Sequence, residues 1–259
     1  KPSEYSYIEI GLKELSQEIE KRNIKSIAIP PLGAGNGGLN WESVKELMEK
    51  NLVNINCDIF IYQPNSTIQE ALKKERVKLT PARAMLLAIL FEIVKNGEFV
   101  SEFAAEKVAY FLQRFGAANI FNLDFRPNFY GPYSGKVKRV LNYMNGSYIT
   151  GYSAMDKKPF EELGIMMDSE NDVLDFLTEP NNLKYLDITN RTKQFLSGFY
   201  SSFGLELLST IDFLAQKHQT KSLEEISAHL NDWSNRKRTL FSNQKFIRLA
   251  LNKLIEYEL

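Results

Sequence analysis

The chain has few of the residues on which several common functions depend. It contains one cysteine and two histidines in 259 residues, and its 32 basic residues balance its 32 acidic ones. A single cysteine excludes an intrachain disulfide, fits a reducing compartment and leaves too few ligands for a structural zinc site. The absence of net charge argues against a globally basic surface for nucleic acid.

Other absences narrow the chemistry and the location. No apolar run approaches the roughly 20 residues of a membrane span and no signal peptide opens the sequence, so we expect a cytoplasmic protein without membrane contact. Neither a Gly-x-Ser-x-Gly nucleophile motif nor a Walker loop occurs. His218 and His229 lie in polar helical surroundings and are expected at the surface. Cys57 alternates with apolar residues and is expected as a buried small side chain. We expect no metal and no cofactor.

The strongest positive signal is a glycine-rich loop between an apolar strand and a helix. Four glycines fall within residues 33–38, after a strand at 27–30 and before a helix that starts at Trp41. Glycine permits positive φ and lets the backbone approach a ligand closely, so several N–H groups can point at an anion. The helix adds its positive N-terminal end. The pattern predicts a phosphate-binding loop.

Residues 30–41, Pro-Pro-Leu-Gly-Ala-Gly-Asn-Gly-Gly-Leu-Asn-Trp, carry a resemblance. The run resembles the second phosphate-binding loop of macrodomains, which are ADP-ribose-binding α/β modules. Within that family it is most similar to the DarG branch of DNA ADP-ribosyl glycohydrolase antitoxins, in which Cys replaces Ala34 and Asp replaces Asn40. Ala34 keeps a small side chain and Asn40 can still cap the helix. The resemblance implies that ADP-ribose is bound by backbone N–H groups of Gly33, Ala34, Gly35, Asn36 and Gly37.

Residues 1–63 alternate helix, strand, helix and strand. This order predicts parallel strands, with the glycine loop at the carboxyl end of the first. Two strands alone do not make a stable sheet of this kind, so we expect the chain to start within a macrodomain. By the resemblance, the preceding part supplies the first ligand loop and a nucleophilic lysine, and a carboxylate of some relatives would align with Gly37. We therefore expect no catalytic residue, weak or no ADP-ribose binding and no turnover in these 259 residues.

A polar linker at 64–78 leads to a mainly α-helical domain at 79–259. Thr80 and Pro81 open a helix whose residues 85–91 are apolar nearly all round, which predicts a central buried helix. Strands are predicted only at 120–125 and 148–150. Further helices are predicted at 102–115, 136–145, 171–177, 189–197, 202–217, 223–231 and 243–256. The fold class is thus a partial α/β macrodomain, truncated at its N-terminus, followed by a mainly α-helical domain, for which a winged-helix-like unit is one alternative.

Three motifs of the second domain resemble the toxin-binding domain of DarG proteins. They occupy residues 107–113, 130–134 and 230–238. The resemblance implies a DarT-type DNA ADP-ribosyltransferase toxin as partner, besides ADP-ribose and ADP-ribosylated DNA. Tyr130 and Tyr133 flank a Gly-Pro turn, and they are either a structural corner that closes off the core or part of the toxin interface.

Between Asp156 and Pro180 the chain has eight acidic residues against two lysines. Such a run is either a solvated face or a mimic of phosphates, because a toxin that modifies DNA needs a basic groove. The second hypothesis assigns toxin contacts to Asp168, Glu170, Asp172 and Asp175. Neutralising the four together should then weaken the complex and its salt dependence.

A basic run, Arg236-Lys237-Arg238, stands beside Trp233 and either contacts nucleic acid or forms a surface turn. The sequence as a whole predicts a two-domain antitoxin that removes ADP-ribose from DNA and binds its toxin directly. Two alternatives stay open. One is a non-catalytic inhibitor whose first 63 residues are only a scaffold, and the other is a DNA-binding autoregulator.

Overall fold

The computed structural model describes residues 4–34, 39–63, 76–152 and 158–259. They belong to two compact units, residues 1–75 and 76–259. Most of the predicted linker, 64–75, lies outside the described residues. Its last part belongs to the second unit, because the Val77 N–H donates to Ser147 Oγ at 2.9 Å and the Tyr148 hydroxyl donates to the Val77 carbonyl at 3.1 Å.

The first unit follows the predicted order of elements. It consists of α1 (Tyr5–Lys21), β1 (Ser26–Ile29), α2 (Trp41–Leu52) and β2 (Asp58–Ile61). The two strands pair in parallel, from Ser26 opposite Asp58 to Ile29 opposite Ile61. This parallel pairing confirms the prediction and places the loop that follows Ile29 at the carboxyl edge of the strands.

Both helices of the first unit pack against the same face of the two strands. Leu12 of α1, Val44 and Met48 of α2, and Ile29 of β1 share one buried cluster. Side chains that point to the other face are open to solvent, and Phe60 is 57% exposed. Alternate side chains of a strand point to opposite faces, so each strand has one face in the buried cluster and the other in solvent.

The second unit is mainly helical, as predicted. Its helices are α3 (Pro81–Lys95), α4 (Glu102–Leu112), α5 (Ala118–Phe121), α6 (Val137–Met144), α7 (Glu170–Thr178), α8 (Leu183–Leu196), α9 (Ser202–His218), α10 (Leu223–Trp233), α11 (Asn235–Leu240) and α12 (Gln244–Glu256). Its strands are β3 (Val100–Ser101), β4 (Arg126–Asn128), β5 (Gly131–Tyr133), β6 (Ile149–Thr150) and β7 (Glu162–Ile165). Strands β3, β7 and β6 form one small antiparallel sheet, and β4 and β5 form a hairpin.

Helix α3 is the central buried helix that the sequence predicts. Thr80 caps it by accepting a hydrogen bond from the Arg83 N–H, and residues 84–91 are all buried. The predicted helix at 102–115 is shorter, because α4 passes at Leu112 into a π-helical turn in which Gly116 has φ +119°. Within the described part of the chain, no helix combines the length and apolarity that a bilayer crossing needs.

One predicted strand is wrong, and the strands β3 and β7 and the hairpin of β4 and β5 were not predicted. Residues 118–121 are helical, and Asn122 ends that helix with φ +48°, so 120–125 is not a strand. The hairpin of β4 and β5 contains Pro127 opposite Pro132. Proline gives no backbone N–H to a ladder, which makes such a segment look like a turn in sequence. The predicted strand at 148–150 is confirmed at Ile149–Thr150.

Helix α2 owes its start to Asn40, whose Oδ1 accepts a hydrogen bond from the Ser43 N–H at 3.1 Å. We expect Asn40→Ala to lower the free energy of unfolding of the first unit by about 1 kcal/mol, because a helix donor loses its partner. Asn40→Asp should keep the stability, since a carboxylate accepts the same bond beside the positive helix end. Hydrogen exchange of the α2 amides measures this. Equal protection in all three proteins would contradict it.

Candidate functional site

The glycine loop leaves β1 at its carboxyl end and enters α2. Gly33 has φ +65°, a conformation that favours glycine. The Leu39 N–H donates to the Gly33 carbonyl at 3.0 Å, so the two ends of the loop are held together. The Ala34 N–H donates to the Pro31 carbonyl at 3.2 Å and is engaged in the turn. Of the predicted ADP-ribose contacts, Gly35, Asn36 and Gly37 lie outside the described residues.

In the second unit, the three motifs of the predicted toxin-binding domain meet at one place, the β4–β5 hairpin. We define the hairpin site as this hairpin together with the side chains around it, which are those of Glu102, Glu106, Lys107, Trp233, Arg236 and Lys237. Helix α4 is buried throughout. Its Lys107 ammonium donates to the Pro132 carbonyl at 2.6 Å, and Glu106 accepts the N–H groups of Ser134 and Gly135 at 3.1 and 3.0 Å.

The charges on α4 are strongly affected by burial. Desolvation raises the pKa of Glu106 to about 7, although its two backbone donors and the neighbouring ammonium favour the ionised form. Desolvation also lowers the pKa of Lys107 to about 7, against the attraction of Glu106. Because both pKa values lie near neutrality, the charged forms of Glu106 and Lys107 depend on the partners that the hairpin and the two side chains supply to each other. Helix α4 therefore holds the hairpin through buried polar contacts of Lys107 and Glu106.

The predicted basic patch is a buried ion network. Lys237 is fully buried, and its ammonium donates to Glu206 at 2.7 Å and to Thr210 Oγ1 at 2.9 Å. Arg236 makes a bidentate contact with the same Glu206. Of Arg236, Lys237 and Arg238, only Arg238 is exposed. Two of the three cations that the nucleic-acid hypothesis needs at the surface are therefore engaged inside the protein. We call Glu206, Thr210, Arg236 and Lys237 the core ion network.

The core ion network has its own electrostatic balance. Burial opposes ionisation of Glu206, but the hydrogen bonds from Arg236 and the charge of Lys237 hold its pKa below the ordinary value. Burial lowers the pKa of Lys237 to about 8. The ammonium is thus charged at neutral pH and depends on Glu206 for its counter-charge.

Gly131 of the hairpin lies directly on this network. It has φ +96°, and a Cβ there would come 2.9 Å from Thr210 Oγ1 and within 3.6 Å of both buried ammonium groups. Only glycine lets the strand approach so closely. Above it, the Trp233 indole donates to the Asn128 carbonyl at 3.1 Å, and the Arg236 guanidinium stacks over Phe129 and Tyr130 at 5.3 and 4.9 Å. The hairpin tip is consequently held by contacts from Trp233 and Arg236.

A cavity of about 260 Å³ lies between the hairpin and α4. Its walls are mostly aromatic or apolar, and two carboxylates and two ammonium groups line it as well, from Glu102, Glu106, Lys107 and Lys138. Tyr130 and Tyr133, the two tyrosines predicted to contact the toxin, are part-buried and line this cavity. They therefore have a structural role in the corner and also face an open space.

The predicted acidic toxin contacts, Asp168, Glu170, Asp172 and Asp175, form a separate group around two cations. Arg76 contacts Asp168 at 2.8 Å and also pairs with Asp172. Lys95 pairs with Glu170, and Asp175 is exposed on α7. Arg76 is itself largely covered, with 8% of its side chain exposed. Asp168 and Asp172 thus anchor Arg76 at the start of the second unit, and Glu170 pairs with the end of α3. Asp156 lies outside the described residues.

The remaining candidates carry little chemistry. Cys57 was expected to be buried and is part-buried just before β2, where its thiol donates to the neighbouring Asp58 carbonyl at 3.7 Å. His218 and His229 lie at the surface and stack with ring centroids 3.5 Å apart. Repulsion from His229 adds to desolvation in lowering the pKa of His218. The part of the chain that the structure describes has no group of three or more His, Cys, Asp or Glu side chains that could hold a metal ion.

Sequence analysis missed the buried charges that build the hairpin site. A signal was present, because Glu206 stands within the apolar run of α9, and Glu106 and Lys107 within that of α4. Charged residues are almost never fully buried unless they are paired. An ionisable residue in an otherwise buried helix therefore indicates a partner elsewhere in the chain, although it does not say which.

Comparisons with known proteins agree with this architecture. The Macro domain family matches residues 1–48. A DNA ADP-ribosyl glycohydrolase of Thermus aquaticus is 31% identical over 259 aligned residues, which cover 98% of this chain and 70% of the relative. One of Mycobacterium tuberculosis is 27% identical, over 98% of this chain and 75% of the relative. A DNA ADP-ribosyl transferase-DNA ADP-ribosyl glycohydrolase fusion protein of Thermosipho africanus is 42% identical over 62 residues, 24% of this chain and 16% of the relative.

The fold and these matches define the class, which is a macrodomain protein with a helical region. The Thermus aquaticus alignment extends beyond the macrodomain match into the second unit, because it covers 98% of the chain. The chain belongs to the family of DNA ADP-ribosyl glycohydrolases.

Proposed function

We propose that this protein removes ADP-ribose from DNA and is the antitoxin of a DarT-type DNA ADP-ribosyltransferase toxin. The observation that carries the proposal is the alignment with the Thermus aquaticus glycohydrolase, which runs through both units. The Thermosipho africanus fusion supports the pairing, because its name joins a transferase and a glycohydrolase in one chain. The two units then have separate tasks.

The first unit contributes part of the ADP-ribose site. The loop lies at the carboxyl edge of parallel strands and next to the N-terminus of α2, where α/β folds bind anionic ligands. Gly33 has the positive φ that such a loop needs. Backbone N–H groups of Gly33, Gly35, Asn36 and Gly37 hold the diphosphate and the adjoining ribose of bound ADP-ribose, while the Ala34 N–H stays in the turn with the Pro31 carbonyl. Binding at this loop positions the sugar, while the groups that attack it belong to other parts of the site.

The second unit binds the toxin directly. The hairpin site supports this role, because Phe129 is 53% exposed on a hairpin whose Pro132 carbonyl accepts a hydrogen bond from the buried Lys107. Tyrosine and arginine, which Phe129 adjoins here as Tyr130 and Arg236, are enriched among the residues that dominate binding energy at interfaces. We place the contact at Tyr130 and Tyr133 rather than at the acidic group, since Arg76 and Lys95 already occupy three of those four carboxylates.

Two assays with a DarT-type toxin separate these tasks. The toxin is mixed with unmodified DNA and an equimolar amount of the 259-residue chain, and we expect transfer of ADP-ribose to DNA to be blocked. DNA that already carries ADP-ribose is then incubated, without toxin, with the protein at its natural length, and we expect free ADP-ribose to appear. Inhibition without release would show a non-catalytic inhibitor, and absence of both effects would overturn the proposal. Denatured protein is the control.

A further inference from the structure

The second unit has a further cavity, of about 460 Å³, that neither the glycine loop nor the hairpin site uses. Its lining comes from the end of α4, the π-helical turn after it, the irregular segment 123–125 and the last turns of α9. We call it the Arg114 cavity. Pockets of about 300–1,000 Å³ are the usual size for small ligands. The volume therefore suits a ligand larger than an inorganic ion or one acidic side chain.

The arginine of this cavity is held in place by a buried carboxylate. The Asp212 side chain is 1% exposed, and Arg114 donates to it from Nε at 2.8 Å and from Nη2 at 3.0 Å. The Arg114 side chain is itself 24% exposed, and none of its contacts within the described residues involves Nη1. A guanidinium fixed along one edge presents its remaining N–H donors in a set direction, which suits a phosphate.

A second cation gives the lining of the Arg114 cavity a net positive charge. Lys217, in the last turn of α9, is exposed and forms no ion pair with any residue that the structure describes. Asp124 also lines the cavity, but it pairs with Arg126 at 2.9 Å. Because Asp212 offsets the charge of Arg114 and Arg126 that of Asp124, the charge of Lys217 remains. The cavity should therefore attract an anion.

The other walls of the Arg114 cavity are aromatic and carry one amide acceptor. Phe125 and Phe213 are part-buried and line the cavity. Gln113 holds the segment of Phe125 in place, because it donates to the Leu123 carbonyl at 2.9 Å and accepts the Leu123 N–H at 3.0 Å. Gln216 lines the cavity as well, and none of its contacts within the described residues involves Oε1. Aromatic rings beside cations are typical of sites in which a nucleobase stacks.

We propose that the Arg114 cavity binds a nucleoside monophosphate group, either as a free nucleotide or as one residue of a single DNA strand. The phosphate contacts Arg114 and Lys217, the base stacks on Phe125 or Phe213, and Gln216 Oε1 accepts an N–H of the base. A bare phosphate would use the cations alone, whereas a nucleotide uses the cations, the aromatic walls and the amide. The inference goes beyond the proposed function and does not depend on toxin binding.

The test titrates the 259-residue chain in a calorimeter with thymidine monophosphate, thymidine, inorganic phosphate and a short oligothymidylate. Every protein carries Gly33→Val, so that the glycine loop does not contribute to the signal. We expect thymidine monophosphate to bind more tightly than thymidine or phosphate. A tighter oligothymidylate complex would assign the ligand to a DNA strand, and a weaker one would assign it to a free nucleotide.

Four variants locate the binding. Lys217→Glu reverses an exposed charge, and Arg114→Lys keeps a counter-charge for Asp212 but removes the second edge of the guanidinium. Each should weaken the thymidine monophosphate complex at least about tenfold. Phe213→Leu keeps an apolar side chain without an aromatic face and should weaken it about fivefold or more. Lys245→Glu, the same charge reversal at an exposed position of α12, is the matched control and should leave the affinity unchanged. Circular dichroism checks folding.

Several outcomes would overturn the inference. If thymidine monophosphate does not bind, or binds no more tightly than phosphate, the cavity is not a nucleotide site. Equal losses in Lys217→Glu and Lys245→Glu would show an effect of overall charge instead of a site. Weaker toxin binding by Lys217→Glu, with no nucleotide bound by the unchanged cavity, would show that an acidic side chain of the toxin occupies it. Should Arg114→Lys fail to fold, the exposed Lys217→Glu still decides.

Discussion

Replacing Glu206 with glutamine is expected to lower the free energy of unfolding of the second unit by roughly 3 to 5 kcal/mol. The substitution leaves the fully buried Lys237 and the neighbouring Arg236 without a counter-charge. Because the hairpin lies on these groups, toxin binding should be lost as well. The measurement is denaturant unfolding followed by the fluorescence of Trp233 in a Trp41→Phe background, which restricts the signal to the second unit.

Two further variants identify the cause of this loss. Lys237→Met removes the buried charge and keeps a similar volume, while Glu206 still pairs with Arg236, so we expect a cost below about 1.5 kcal/mol. Glu256→Gln breaks only an exposed pair with Lys253 and should cost less than about 0.5 kcal/mol. If Lys237→Met destabilises as much as Glu206→Gln, packing and not the counter-charge is the cause, and the electrostatic account is wrong.

Replacing Gly33 with valine should reduce the affinity for ADP-ribose at least about tenfold. The residue has φ +65°, where a β-branched side chain is severely strained, so the loop must change its path. The proposed N–H donors of the loop would then no longer converge on the diphosphate. Calorimetric titration of the protein at its natural length with ADP-ribose measures the effect, and inhibition of the toxin should stay intact because the second unit is unchanged.

Ala34→Cys is the matched control for this loop. It introduces the residue that the related DarG pattern has at that position, in a backbone conformation without positive φ, so we expect affinity within about twofold of the unchanged protein. Unaltered binding by Gly33→Val, or an equal loss in both variants, would show that the backbone conformation of this loop does not determine ligand binding.

Local features of this fold could be read from sequence because their causes are local. The order helix, strand, helix, strand that the sequence predicts for residues 1–63 is the order that the first unit has. Thr80 and Asn40 cap helices through side chains that reach only a few residues along the chain. The predicted strand at 120–125 is wrong because packing against distant elements decides its conformation. Phe121 packs from a short helix, and Leu123 and Phe125 pack from an irregular segment.

The β4–β5 hairpin could not be predicted from its own residues. Its two prolines and Gly131 read as a turn, because each by itself disfavours a regular strand. The pairing is stabilised by groups far away in sequence, such as the Lys107 ammonium on the Pro132 carbonyl and the Trp233 indole on the Asn128 carbonyl. No window of neighbouring residues contains that information.

The sequence by itself determined the order of elements in the first unit, the glycine loop at the end of β1 and the helical character of the second unit. These follow from periodicity, capping and backbone freedom, which act over a few residues. Only the tertiary structure decided that Arg236 and Lys237 belong to a core ion network and that three distant motifs form one site. The physical reason is that the burial of a charge and the position of its counter-charge are set by packing between elements, and sequence spacing does not encode them.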